Sequence, residues 1–182
     1  ASRRLGQGLE KQSGTAFHNG LVMATAYALP VSFLGWMFVG NIVPFFVNNV
    51  VATPLATQYT SIVFISLVFS AYSFVFQGFY TGVEKTKIHM TVTIVSNLLN
   101  VYLNAGLIYG TEGVKVFLND VAPGFSFLSY LWQWTEFPAL GVKGAAISTV
   151  VASIWMATHY TLYLFSKDIK NRFSVFSFSF DR

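Results

Sequence analysis

The chain has 182 residues, of which 54% are hydrophobic, 18% aromatic and only 10% charged, with a formal net charge of +4 and a mean hydropathy of +0.56. Soluble domains carry about a quarter charged residues, so the composition excludes an ordinary water-soluble domain and predicts an all-α, polytopic transmembrane bundle. The basic residues flank apolar runs instead of forming a basic domain, which argues for membrane topology and against a nucleic-acid partner, and the lack of cysteine removes disulfides, thiolate zinc sites and thiol nucleophiles.

Residues 1–15 carry Arg3, Arg4 and Lys11 among three glycines, a basic lead-in. The first apolar run, about 16–40, is long enough at 1.5 Å per residue to cross a core of about 30 Å. Pro30 lies inside it, as a packing kink or a functional hinge. Residues 41–56, with Pro44, Asn48, Asn49 and Pro54, read as an uncharged loop. A second span at about 57–80 is rich in Phe and Ser and holds Gln77 near its end. A short turn, 81–87, carries Lys85 and Lys87. The third span, about 88–109, is closed by Gly110 in a left-handed cap.

Residues 111–141 form the longest connection. Its centre, from Phe125 to Phe137, concentrates Phe, Tyr and Trp between Pro123 and Pro138. It is too short to span. Aromatic residues of this kind prefer the headgroup level, so the segment reads as a short helix on the membrane surface or capping the bundle, with an aromatic ligand cage as the other reading. The fourth span, about 142–165, opens with Gly141, Ala145 and Thr149 at every fourth position, a small-residue face suited to close helix packing. Beyond it, the alternating Ser and Phe of residues 173–180 read as a linker at the membrane surface. The polar opening and the Phe-rich finish suggest a piece of a longer protein.

Charge orients these four spans. Segments 1–15, 81–87 and 166–182 hold nine of the eleven basic residues, leaving only Lys115 and Lys143 opposite. The positive-inside rule places that side in the cytoplasm. The expected setting is the inner (plasma) membrane, with both ends cytoplasmic and the long aromatic loop outside.

Polar chemistry is concentrated on the third span. Thr93, Asn97, Asn100 and Asn104 recur at i, i+4, i+7 and i+11, a single polar stripe on a helix. An amide without a partner in an apolar medium costs roughly 2 to 7 kcal/mol, so the stripe must face other helices or a wet cavity. Thr93, Asn97 and Gln77 are candidate cavity lining. Asn100 and Asn104 offer neutral oxygens of the kind that bind a hard cation such as sodium, and Thr149 is placed to add a hydroxyl. The other reading is interhelical hydrogen bonding that only holds the bundle together. No enzymatic motif is present. His18, His89 and His159 are scattered, without ligand spacing, and read as interfacial histidines.

The segments 82–87, 100–110 and 141–149, in this order and helix context, resemble the multidrug and toxic compound extrusion (MATE) transporters, and Arg4-Leu5-Gly6-Gln7-Gly8 is similar to that family's loop between its second and third helices. The resemblance implies helices three to six of an amino-terminal lobe. It implies an antiporter of organic cations and drugs, driven by sodium or protons through alternating access, with the lipid bilayer and the parent chain's remaining helices as partners and no cofactor beyond the coupling ion. It also implies a cation site at Asn100, Asn104 and Thr149, completed by an acid on a helix outside this chain. Asn104 stands where part of the family has Asp and cannot titrate, which favours sodium there. The long connection 111–141 departs from the family's pattern. A lipid-linked sugar flippase of the same superfamily and a non-transporting membrane subunit are the alternative readings.

Overall fold

A computed structural model describes residues 1–173; the linker expected over 173–180 lies, apart from Phe173, outside them. Among the described residues there are six α-helices: α1 (Ser2–Gly6), α2 (Glu10–Phe46), α3 (Ala52–Gly82), α4 (Thr86–Val116), α5 (Val142–Leu164) and α6 (Lys167–Phe173). A π-helical turn, Phe117–Val121, and a 3-10 helix, Pro123–Trp132, lie between α4 and α5. Of these, Glu10–Phe46, Ala52–Gly82 and Thr86–Val121 are long and apolar enough to cross a membrane. Only 11 to 22% of their most apolar stretches is buried, leaving far more apolar surface than water tolerates. The fourth expected span is a helix over the expected residues, but its Lys143, His159 and many hydroxyl side chains keep it out of that apolar set.

Two boundaries differ from the sequence expectation. The loop expected over 41–56 shrinks to residues 47–51, because α2 continues through Pro44 and α3 starts early. Asn49 explains the early start: its Oδ1 accepts the backbone N–H groups of Val51 and Ala52 at 2.9 and 3.0 Å, capping donors that the first turn leaves without partners. Pro54 then falls in that first turn, where its missing N–H is harmless. At the other end of the third span Gly110 has φ 74 and ψ 162, a backbone region that essentially only glycine occupies. The helix breaks there as expected, but a ψ of 162 is extended, so the break is not the left-handed cap that the sequence predicts. A six-residue extension, 111–116, follows.

Contacts divide the chain into two compact units. The first comprises Ala1–Leu34, Ile65–Ser96 and the described residues from Ser153 onward. Its core is an aromatic cluster in which Phe17, Phe76, Phe79, Tyr80 and Tyr160 are buried together with Ile169 and Phe173 of α6. Two ion pairs tie α6 down: Lys85 to Asp168 at 2.5 Å and Arg172 to Glu10 at 2.6 Å.

The second unit comprises Gly35–Phe64 and Asn97–Ala152. The break at Gly110 frees carbonyls that the returning chain satisfies: Leu140 donates to Leu107 at 2.8 Å and Gly141 to Ile108 at 3.1 Å. Thr111 is bonded in turn to the backbone of Thr135 and Phe137. The aromatic connection is therefore folded against α4. Trp132 is buried and stacks on Tyr102 at 5.0 Å, whereas Phe125, Phe127, Tyr130 and Trp134 are exposed. A short helix does form there, and its most enclosed side chain faces protein.

The small-residue packing face of α5 is corrected in register. A Cβ at Gly144 would come within 2.1 Å of the Leu107 carbonyl oxygen, whereas one at Gly141 would meet nothing within 4 Å. Gly144, Ser148 and Ala152 form a buried every-fourth stripe, one azimuthal step from Gly141, Ala145 and Thr149, and Ala146 and Ala157 are buried beside it. Every-fourth spacing occurs on both faces, and only contact with α4 distinguishes them.

Candidate functional site

Two polar networks are built on α4, one in each unit. In the second unit Asn100 and Asn104 lie one turn apart, and Nδ2 of Asn104 donates to Oδ1 of Asn100 at 2.8 Å. Ser148 of α5 lies against them, its Oγ 2.5 Å from Asn104 Oδ1 and 2.9 Å from the Ala145 carbonyl. The close approach at Gly144 brings Ser148, one turn further along α5, to α4. Thr149 donates to Ala145 of its own helix at 2.9 Å. Of the expected trio, the structure joins Asn100 and Asn104, and the hydroxyl it joins to them is that of Ser148. Sequence pattern missed Ser148 because adjacent hydroxyl residues differ only in helical azimuth.

In the first unit three helical faces line a half-open cavity of about 390 Å³. Ser70, Ser73, Phe74 and Gln77 of α3 recur at i, i+3, i+4 and i+7, His89 and Thr93 of α4 at i and i+4, and Ser153, Met156 and Tyr160 of α5 at i, i+3 and i+7, so each helix presents one stripe. Gln77 and Thr93, expected from the sequence as cavity lining, lie on it. Asn97 is exposed and outside that lining.

The polar centre of this cavity is His89, which sequence reading left as an ordinary interfacial histidine. Its Nδ1 lies 2.6 Å from the Tyr160 hydroxyl and 3.3 Å from the Thr93 hydroxyl. Its ring is nearly parallel to that of Tyr160, with a centroid distance of 6.3 Å. Tyr160 is fixed from behind, where the buried Tyr80 hydroxyl donates to its carbonyl at 2.8 Å and the Phe76 ring stacks on its own at 5.5 Å. The i, i+4 pairing of His89 with Thr93 was visible in the sequence. Tyr160, 71 residues away, was not.

Long apolar helices carrying hydrogen-bonded polar stripes define a multi-pass membrane protein whose spans enclose polar sites. The MatE family model matches residues 1–105, more than half of the chain, and the protein belongs to the MATE family. Members of that family are transporters rather than enzymes. The matched stretch includes His89, Asn100 and Asn104; Ser148, Thr149 and Tyr160 lie beyond it. Comparison with curated proteins and with solved structures gave no match.

Proposed function

We propose that the protein is part of a secondary active exporter of organic cations, working by alternating access in the plasma membrane, with Asn100 and Asn104 as a coupling-cation site. In this reading α5 is the fourth span, the chain forms helices three to six of an amino-terminal lobe, and both ends of the four-span piece are cytoplasmic. The observation that carries the site is the chain of hydrogen bonds from Ser148 through Asn104 to Asn100. These are neutral oxygens gathered on a span that otherwise fits hydrocarbon, as hard monovalent cations require.

Exchanging the amide oxygen and nitrogen of Asn104 lets its nitrogen donate to Ser148 and gives up its hydrogen bond to Asn100, leaving two amide oxygens facing each other. Ser148 then donates only to Ala145 and accepts from the Asn104 amide, which also respects the single proton of the hydroxyl. The Asn104 oxygen is thereby turned toward Asn100, where two amide oxygens share a sodium ion, with Thr149 a further hydroxyl on α5. Cationic cargo is also supported by the first-unit cavity, whose lining holds no Lys or Arg. A site for a phosphate-bearing lipid would require such residues.

In the full-length protein, Asn100→Leu with Asn104→Leu is expected to abolish sodium-dependent ethidium efflux at equal expression. Efflux that keeps its sodium dependence would overturn the assignment.

A further inference from the structure

We propose that His89 is a second coupling site in the same lobe: a proton on His89 and a cationic cargo in the first-unit cavity exclude one another. This rests on the reading of the protein as an exporter of organic cations. Asn100, Asn104 and Ser148 cannot change charge near neutral pH, whereas histidine is the side chain whose ordinary range falls between pH 5 and 8.

The surroundings of His89 suit reversible proton uptake. The cavity lining contains no carboxylate, lysine or arginine, so no fixed counter-charge there holds the ring in one state. From α5 the titratable neighbour is Tyr160, and behind it from α3 is Tyr80. In the turn before α4, Lys85 is paired with Asp168. On α4 itself Lys87 is exposed. His159 of α5 stacks on Tyr163 and packs at a tilt against Trp155 instead.

Hydroxyl rotation lets the network serve both protonation states. With His89 neutral, the Tyr160 hydroxyl donates to Nδ1, which leaves the ring proton on Nε2. When a proton from water binds Nδ1, the new N–H donates to the Tyr160 oxygen. The Tyr160 hydroxyl then turns its own hydrogen away from the ring. One N–H bond forms, and the same proton returns to water on release. No heavy atom need move, yet a full positive charge appears on the cavity wall. That charge opposes a cation in the same space.

The test uses the purified full-length protein at constant sodium, with tetraphenylphosphonium as a cation that cannot itself titrate. The affinity of the unmodified protein is expected to fall by about tenfold from pH 8 to pH 5.5, the effect of one pKa unit of coupling. His89→Gln is expected to bind equally at both values, and Tyr160→Phe to keep the dependence with a displaced midpoint. A pH dependence that persists in His89→Gln overturns the proposal, as does pH-independent binding by the unmodified protein. Should His89→Gln fail to fold, nitrogen NMR of the imidazole reports on the unmodified protein, and a ring that keeps one protonation state across the range overturns the proposal equally. Absence of binding at every pH removes the exporter reading as well, whereas pH-independent binding removes only the role of His89.

Discussion

The two networks on α4 share a plan and differ in chemistry. Each is built on an i, i+4 pair, Asn100 with Asn104 or His89 with Thr93, and each reaches one hydroxyl of α5, that of Ser148 or Tyr160. In the second unit every group is neutral at any physiological pH, so the network responds only to a ligand that seeks oxygen. In the first unit the central group is the imidazole of His89, which can both donate and accept, and under our proposal that network answers to protons. Under the two proposals the same helical geometry serves two kinds of ion chemistry according to which residue occupies the pair.

The second network is the easier to break, because it depends on one glycine. Gly144→Ala would place a methyl group against the Leu107 carbonyl, so α5 must withdraw and Ser148 must lose Asn104. Overpacking of this kind costs about 1 to 3 kcal/mol. Thermal unfolding of the detergent-solubilised full-length protein should show a lower Tm and weaker protection by sodium. An unchanged Tm would show that the close approach does not set the position of α5.

In the first network the corresponding support is Tyr80. Tyr80→Phe removes its hydrogen bond to the Tyr160 carbonyl at an expected loss of about 1 kcal/mol. The Tm should fall by less than in Gly144→Ala, and the pH midpoint of cation binding should move because Tyr160 is held less firmly. A shift in Tm with no change in midpoint would confine Tyr80 to packing.

The smallest effect is expected at Asp168, where α6 closes the first unit. The hydrogen bond and positive charge of Lys85 hold the Asp168 carboxyl below its ordinary range. A group whose folded pKa is depressed stabilises the fold above its unfolded value, about 4, and loses that contribution as pH falls through the lowered folded value. Asp168→Asn should therefore lower Tm slightly at pH 7 and not at all in strong acid. Because both side chains are partly exposed, high salt should erase the difference. A Tm difference that persists in high salt would assign Asp168 a role other than this pair.

Much of the fold was legible in residue order. The apolar runs gave helices near 16–40, 57–80, 88–109 and 142–165, and Gly110 ended the third, because apolar length and a glycine-only conformation are local properties. The continuation of α2 through Pro44 was not legible. A proline near a helix end is compatible with either helix or loop; here Val47 still donates to the Val43 carbonyl at 2.9 Å, and Asn49 caps only the start of α3. The aromatic stretch 125–137 announced a short helix at the membrane surface or capping the bundle. Only the fold buried Trp132 on Tyr102 and left Trp134 exposed.

By itself the sequence determined a membrane class, family membership and the polar stripe at Thr93, Asn97, Asn100 and Asn104, since composition, motif order and helical periodicity all reside in one strand of covalent chain. Tertiary structure decided which members of each stripe meet. It brought Ser148 to Asn104, left Asn97 outside the first-unit cavity and brought Tyr160 to His89. The reason is angular: neighbouring positions on a helix differ by about 100°, and only the close contact of another helix, here through Gly144 and the aromatic cluster around Tyr80, fixes which side chain arrives at hydrogen-bonding distance.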